Sequence, residues 1–531
     1  MSFPGTDSRN GDTTRGTDGP APASRYFVHT FGCQMNVHDS DRMEGVLRAR
    51  GWVSADDVEG ADLVVFNTCS VREKAEQKLR SEVGKLLPLK KARPDLVIAV
   101  AGCMAQQEGE KLLASIRHVD LVLGPDNIPE LPALVLAHQN GGLPVARTTF
   151  DLDEPRFLAA TPTDGTAPAS AFVTTMKGCD ERCSFCVVPY TRGPERYRPA
   201  AEIVDEVRRW VSAGAREVVL LGQTVDSYRD PSLPPPESDD PDESQFPLLL
   251  RLLSDSVPHY DPARPFEPGL LRLRYTSPHP RHATASLARA HAELDVLARH
   301  VHLPFQSGSD RVLKRMIRRY TRAEFTARAK RLLASRPGMT MSTDVIVGFP
   351  GETAADFEET LAVVREIGFV SLFGFKFSRR PNTPARKLAD DVPEDEKSAR
   401  LTRLLEEVDA LGRAHLARLV GTRQRVLVEG ASKNDGKRDA DREGPSPSGT
   451  TRFQGRTDQN EIVHVGLPVG FDFTGAVFDV VVEAANKHSL LGAATDESLA
   501  RHAAGARPAA PGSVPKAGAR RSLPLVASGA R

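Results

Sequence analysis

Short, continuous apolar runs alternate along this chain with stretches whose apolar residues recur every three to four positions. A strand buried on both faces reads as such a run, and parallel strands need helical crossovers between them. Residues 26–31, 63–66 and 96–100 read as buried strands, with helices at 39–50 and 72–86, so 25–150 is expected to be a parallel α/β domain. The rhythm then repeats over 165–408. Strands are predicted at 172–176, 217–221, 271–275, 301–303, 342–347 and 371–377, with helices such as 201–213, 310–319 and 353–367. Six such units suit a partial (β/α)6 barrel that need not close. From 411 to 493 the pattern turns strand-rich and turn-rich, at 423–429, 462–465 and 476–482, and predicts a small β-barrel.

Four stretches carry no pattern. Residues 1–24 and 496–531 read as a disordered extension and a disordered tail, and 231–245 and 432–449 as surface insertions. No apolar run approaches the ~20 residues of a membrane span, and the first residues lack a secretory signal, so no membrane partner and a cytoplasmic location are expected. Lysine plus arginine number 70 and aspartate plus glutamate 70, so any affinity for nucleic acid must come from local patches. Six cysteines in 531 residues do not make a disulfide scaffold; they fit a reducing compartment where thiolates stay available for metal.

Three of those cysteines form one run, Cys179-Asp-Glu-Arg-Cys183-Ser-Phe-Cys186. This spacing supplies three thiolates to a cubane cluster of four irons and leaves one iron open. A structural zinc site would want a fourth protein ligand and a paired knuckle, and neither is nearby. The other three, Cys33, Cys69 and Cys103, each follow a predicted strand. Ends of neighbouring parallel strands converge on one edge, so the three thiols can meet and hold a second cluster. Buried structural cysteine is the other reading.

The run Cys179–Cys186 resembles the radical S-adenosylmethionine (SAM) superfamily. Together with Gly32-Cys33-Gln34-Met35-Asn36, the segments 179–198, 221–228, 302–309 and 344–353, and Gly455-Arg-Thr-Asp-Gln-Asn460, it resembles the methylthiotransferases over roughly 25–493. The last block resembles the TRAM domain, an RNA-binding β-barrel. The resemblance implies two [4Fe-4S] clusters, on Cys33, Cys69, Cys103 and on Cys179, Cys183, Cys186, with SAM chelated by the second. One SAM would methylate a sulfur at the N-terminal cluster, and another would yield a deoxyadenosyl radical that removes a hydrogen from the substrate. Phe185 would lie near the SAM adenine or simply pack. Gly222 and Gln223 would approach SAM or form a plain turn. Arg192, beside the cluster loop, and the basic run containing Arg318 and Arg319 are the candidate substrate contacts, a solvated basic face being the other reading. Residues 306–309 would line the cavity or cap a loop.

Within that family the motifs favour members that modify C2 of N6-isopentenyladenosine at tRNA position 37, next to the anticodon. Threonylcarbamoyl-adenosine in tRNA and an aspartate of a ribosomal protein are the alternative substrates. An electron donor and a sulfur donor are implied as partners. No side chain is assigned a catalytic role of its own, because an unactivated aromatic C–H is a task for cofactors. Thr224, Asp226, Tyr197 and Asn382 depart from the usual family pattern, which leaves the finer contacts with SAM and substrate open.

Overall fold

Strands β1 (Arg25–Thr30), β2 (Leu63–Thr68), β3 (Val97–Gly102), β4 (Leu121–Leu123) and β5 (Val145–Arg147) lie side by side in chain order, all parallel. A two-residue strand, Val53–Ser54, completes the sheet beside β1. β2 and β3 are buried along their whole length, as uninterrupted apolar sequence requires. Their residues alternate between two cores: Phe66, Ile98 and Val100 pack with Leu79 on one face, and Val65, Val97 and Ala99 with Met43 on the other. The computed structural model describes residues 23–32, 34–70, 73–153, 155–160, 167–236, 238–432, 449–503, 505 and 507–508. Residues 1–22 and 509–531, and 433–448 of the expected insertion, lie outside them.

Six further strands run in chain order as two parallel triplets. β6 (Ser170–Thr174), β7 (Glu217–Leu221) and β8 (Arg272–Tyr275) form one, and β9 (His300–His302), β10 (Thr340–Val347) and β11 (Ser371–Lys376) the other. Helices such as 200–212, 246–256 and 354–367 cover the convex side, where Val218, Leu220, Val345 and Val347 meet Val207, Leu249 and Leu361. The concave side is polar. Glu217 bonds Arg272 and Arg274 at 2.9 and 2.8 Å, His300 bridges Thr340 and Ser342 at 2.9 Å each, and His302 faces Asp344 at 3.3 Å. This is the partial (β/α)6 barrel, an arc rather than a closed cylinder among the described residues.

Two expected boundaries move. The helix predicted at 310–319 stops at Arg315, because Ile317 adopts a left-handed φ of 57° that no helix continues through. The helix Glu394–Leu419 runs straight past 408–411, where a break between core and small barrel was expected. That barrel closes from 423–431, 450–456, 462–468, 490–494 and 477–485 in spatial order. Its strand Thr450–Arg456 begins where the polar insertion ends.

Segment 231–245 is pinned, contrary to its composition. Arg281 Nε donates to Asp242 at 2.8 Å, Thr284 Oγ1 to Glu243 at 2.9 Å, and Gln245 Nε2 to the Pro234 carbonyl at 2.7 Å. Asp242 finds Arg281 and Arg328 instead of water. The supposed tail likewise starts with a helix, Asp496–Ala503, whose His502 stacks on Phe478 at 4.4 Å. No helix among the described residues is long and apolar enough to cross a membrane.

Candidate active site

The loop that carries Cys179, Cys183 and Cys186 leaves the carboxyl edge of β6 through Met176–Lys177 and enters helix α1 (Val188–Arg192). It can do so only because residue 178 is glycine. Gly178 has φ +77°, and a Cβ there would stand 1.8 Å from the Pro194 carbonyl oxygen. The loop is tied down at Cys179 N to Gly193 O (3.1 Å), Ser184 N to Met316 O (2.8 Å) and Ala385 N to Ser184 O (2.8 Å). Each thiol then meets one polar neighbour. Thr224 Oγ1 lies 2.9 Å from Cys179 Sγ, Arg318 Nη1 donates to Cys183 Sγ at 3.2 Å, and Val188 N to Cys186 Sγ at 3.4 Å.

Burial pushes the Cys179 thiol up, with the repulsion of Cys186 added, and pushes Cys186 up to about 12, with that of Cys183 added. Cys179 and Cys186, with no cation bonded to either sulfur, are poor anions by themselves. Bound iron would supply the missing positive charge, so the donor set suits a thiolate-ligated cluster. Among the described residues no three side chains converge on a single-ion point. A cubane makes no such demand, because its thiolates bind separate irons.

The loop after β7 faces this site. At Gly222 a Cβ would fall 2.7 Å from Met176 Cγ and 3.0 Å from Val225 Cα, so close packing excludes a side chain. Both amide atoms of Gln223 are buried without a hydrogen-bond partner, and so are Asp226 Oδ2 and His279 Nε2. Asp226 Oδ1 accepts from His279 N at 2.7 Å. Burial raises the Asp226 carboxyl well above the carboxylate range and lowers His279 well below the usual imidazole value, so both stay neutral. Unsatisfied polar atoms beside a cysteine loop are what a polar ligand such as SAM would complete. Phe185 is half-buried against Val312, Met316, Phe349, Phe377 and Ile346, so its packing role is real.

The other cysteines stand at the carboxyl edge of the N-terminal sheet. Cys69 and Cys103, both buried, follow β2 and β3 directly. Cys33 lies outside the described residues, between Gly32 and the helix that begins at Gln34. Gly32, at φ +127°, brings its backbone so near that a Cβ would be 2.5 Å from Cys69 Cβ. Asn36 and Asn67 lock the two loops together: Asn36 Nδ2 donates to Asn67 Oδ1 at 3.0 Å, and Asn67 Nδ2 to Asn36 O at 2.7 Å.

The two cysteine-bearing edges meet through buried charge. Arg192 Nε donates to Cys103 Sγ at 3.1 Å and its Nη2 to Asp39 Oδ2 at 2.7 Å. Lys177 Nζ reaches Asp126 at 2.9 Å and Asp151 at 3.2 Å; Arg196 Nη1 reaches Asp126 at 2.6 Å and also Asp151. Against burial, which would raise it, the charges of Lys177 and Arg196 and the Arg196 hydrogen bond hold the Asp126 carboxyl below the usual carboxylate range. Asp39, Asp126, Asp151 and Lys177 have no signature in the sequence, and Arg196 shows one only as part of the 179–198 segment. They are isolated charges flanking motifs, and only the fold pairs them.

Of the three arginines expected to meet substrate, Arg192 is held by Cys103 and Asp39. Arg318 is held by Cys183, Tyr320 (3.0 Å) and the Pro304 carbonyl (3.2 Å). Only Arg319, with a side chain 51% exposed, faces solvent, its nearest anion Glu181 at 4.0 Å. The rest of the basic run divides too. Arg311 bonds Asp356 and Arg315 the Pro350 carbonyl, while Lys314 is exposed. Residues 306–309 behave as a loop cap: Gly308 N donates to Thr360 Oγ1 at 2.9 Å and Ser309 Oγ to Asp356 at 2.6 Å. The 455–460 motif turns against the opposite, amino edge of the arc, where Arg272 and Arg274 donate to the carbonyls of Arg456 (3.0 Å) and Thr457 (2.8 Å).

Comparison with known proteins agrees with this layout. The family described as "Uncharacterized protein family UPF0004" matches residues 25–124, and the Radical SAM superfamily matches residues 173–364. A tRNA-2-methylthio-N(6)-dimethylallyladenosine synthase of Sorangium cellulosum is 58% identical over 95% of this chain and 99% of its own. Proteins of the same description from Bordetella petrii and Cupriavidus taiwanensis are each 41% identical, over 88% of this chain and 91% and 98% of theirs.

Proposed function

The chain belongs to the family of tRNA-2-methylthio-N(6)-dimethylallyladenosine synthases within the radical SAM superfamily, and we propose on that premise that it adds a methylthio group to C2 of N6-isopentenyladenosine at tRNA position 37. Cys179, Cys183 and Cys186 would hold one [4Fe-4S] cluster, the one that serves SAM, and Cys33, Cys69 and Cys103 would hold the second. When bound, these groups supply the hydrogen-atom abstraction, the sulfur and its methyl group.

The chain's own residues bury, orient and select. Gly178 and Gly222 let two backbones approach the cluster loop. Gln223, Asp226 and His279 offer neutral hydrogen-bonding atoms to the polar parts of SAM, and Phe185 closes the apolar side. Arg319 and Lys314 stand exposed near the cluster loop, where they suit tRNA phosphates. The C-terminal barrel, similar to a TRAM domain, grips the RNA stem. An electron donor and a sulfur donor serve the reaction, in the cytoplasm.

The observation that carries this reading is the direct contact of the two cysteine-bearing edges, with Arg192 of one bonded to Cys103 of the other. A reaction that joins a sulfur-bearing centre to a radical-generating one needs both at one place. The test is anaerobic incubation of the reconstituted protein, reductant and SAM with tRNA from cells lacking the gene, followed by mass spectrometry of the nucleosides. The expected product is 2-methylthio-N6-isopentenyladenosine, absent with Cys179→Ala. SAM cleavage without a modified nucleoside would move the substrate to threonylcarbamoyl-adenosine or the ribosomal protein. No SAM cleavage in iron-loaded protein would overturn the proposal.

A further inference from the structure

Arg192 is the last residue of α1, the helix that follows Cys186, yet its guanidinium is aimed at the other cysteine group. Its side chain is 6% exposed and that of Asp39 is fully buried. Asp39 lies in helix Gln34–Arg48, which follows Cys33, and it also takes Arg42 Nη1 at 3.4 Å. Two guanidinium groups therefore share one carboxylate, and the Nε–H of Arg192 is directed at Cys103 Sγ. Arg196 fixes the helix end as well, donating from Nη2 to the Arg192 carbonyl at 2.6 Å.

We propose that Arg192 is a positioning residue that tunes the N-terminal cluster: anchored by Asp39, it places a charge-assisted N–H···S bond on Cys103 and raises that cluster's reduction potential. The inference rests on the reading of Cys33, Cys69 and Cys103 as cluster ligands. Its physics is simple. A cluster gains negative charge on reduction, and a fixed positive donor at a ligand sulfur favours the more negative state. In a dry interface that preference is screened very little. Because the arginine belongs to the loop of the other cluster, the tuning exists only when the two edges are docked.

The test is an anaerobic, EPR-monitored redox titration of the reconstituted full-length protein. An added SAM analogue that chelates iron but has no transferable methyl group perturbs only the Cys179 cluster, and so identifies which signal belongs to the other. Arg192→Met is expected to weaken reduction of the SAM-insensitive cluster at least tenfold, about 59 mV for one electron. Asp39→Asn keeps an acceptor oxygen for Arg192 Nη2 but removes the opposing negative charge, and is expected to shift the same signal the other way, with Arg192→Lys lying between Arg192→Met and wild type. Opposite signs are beyond a mere packing defect. An unmoved potential at equal iron content, or shifts of the same sign in both variants, would overturn the inference. If Arg192→Met does not take up the cluster, Asp39→Asn and Arg192→Lys decide by the same signs. A wild-type protein that loads only the SAM-sensitive cluster would refute the ligand reading itself, a distinguishable outcome.

Discussion

Replacing Asp126 by asparagine keeps the shape of the side chain but removes one of two negative charges from a buried group of four. Asp126 and Asp151 are 5% and 8% exposed, Lys177 and Arg196 each 6%. The balance of two anions and two cations is what lets these charges leave water. Taking one partner from a buried pair typically costs about 3–5 kcal/mol. Asparagine keeps an acceptor oxygen, so the low end applies, about 3 kcal/mol, or roughly a hundredfold in an equilibrium constant. The loss falls on the interface, because the aspartates come from the N-terminal side and the two cations flank the cluster loop. Hydrogen exchange of the amides in 103–108 and 188–192 should report it as faster opening in Asp126→Asn. The surface pair Arg365–Glu407, at 49% and 28%, is the control: Arg365→Met should leave the exchange of these amides unchanged. The wild-type carboxyl is depressed on folding, so its contribution is present above the ordinary carboxylate pKa and fades as pH falls through the lowered value. The gap between wild type and variant should therefore hold at neutral pH and close only in strong acid. A difference below about 1 kcal/mol at pH 7 would refute the reasoning.

Asp226→Asn should act in the opposite sense. The folded-state pKa is raised, so the wild-type contribution is full below the unfolded value and is lost as pH rises; the variant should gain on wild type by up to about 1.4 kcal/mol per pH unit above pH 4, read by urea unfolding. Glu217 is held down to about 2 by Arg274 and Arg272 against its burial, so Glu217→Gln should lose about 3 kcal/mol at pH 7, and acid unfolding should show the difference vanish as pH falls from about 4 through 2. Gly178→Ala meets the Pro194 carbonyl at 1.8 Å and should cut iron bound at the Cys179 site several-fold while Arg423→Met, on the far barrel, leaves it unchanged.

The central strands of the N-terminal sheet were legible because parallel strands buried on two faces must be apolar without a break, as at 63–66 and 96–100. The run Cys179–Cys186 was legible as a candidate because its spacing suits a cubane cluster better than a zinc knuckle. Charge was not. Lys177, Arg196 and Asp126 look like ordinary solvated residues until the fold buries them together, and Arg192 reads as a surface contact for RNA until its guanidinium is seen against Cys103. The strand at 450–456 was missed because the polar insertion before it hides its start. Asn382, which departs from the usual family pattern, has φ 63°, a left-handed conformation that asparagine tolerates.

The helix Glu394–Leu419 joins the partial barrel to the C-terminal one without a hinge. At about 1.5 Å per residue its 26 residues measure off some 39 Å, and each residue also turns the far end by about 100°. Distance and phase between whatever the small barrel holds and the place where chemistry occurs are thus written into a count of residues. Deleting one residue would swing the barrel round the helix axis by more than a quarter turn and tear the 455–460 turn from Arg272 and Arg274. Deleting seven would nearly restore the phase yet bring the two ends about 10 Å closer. Loops elsewhere in the chain can drift in length; this segment behaves as a calibrated spacer.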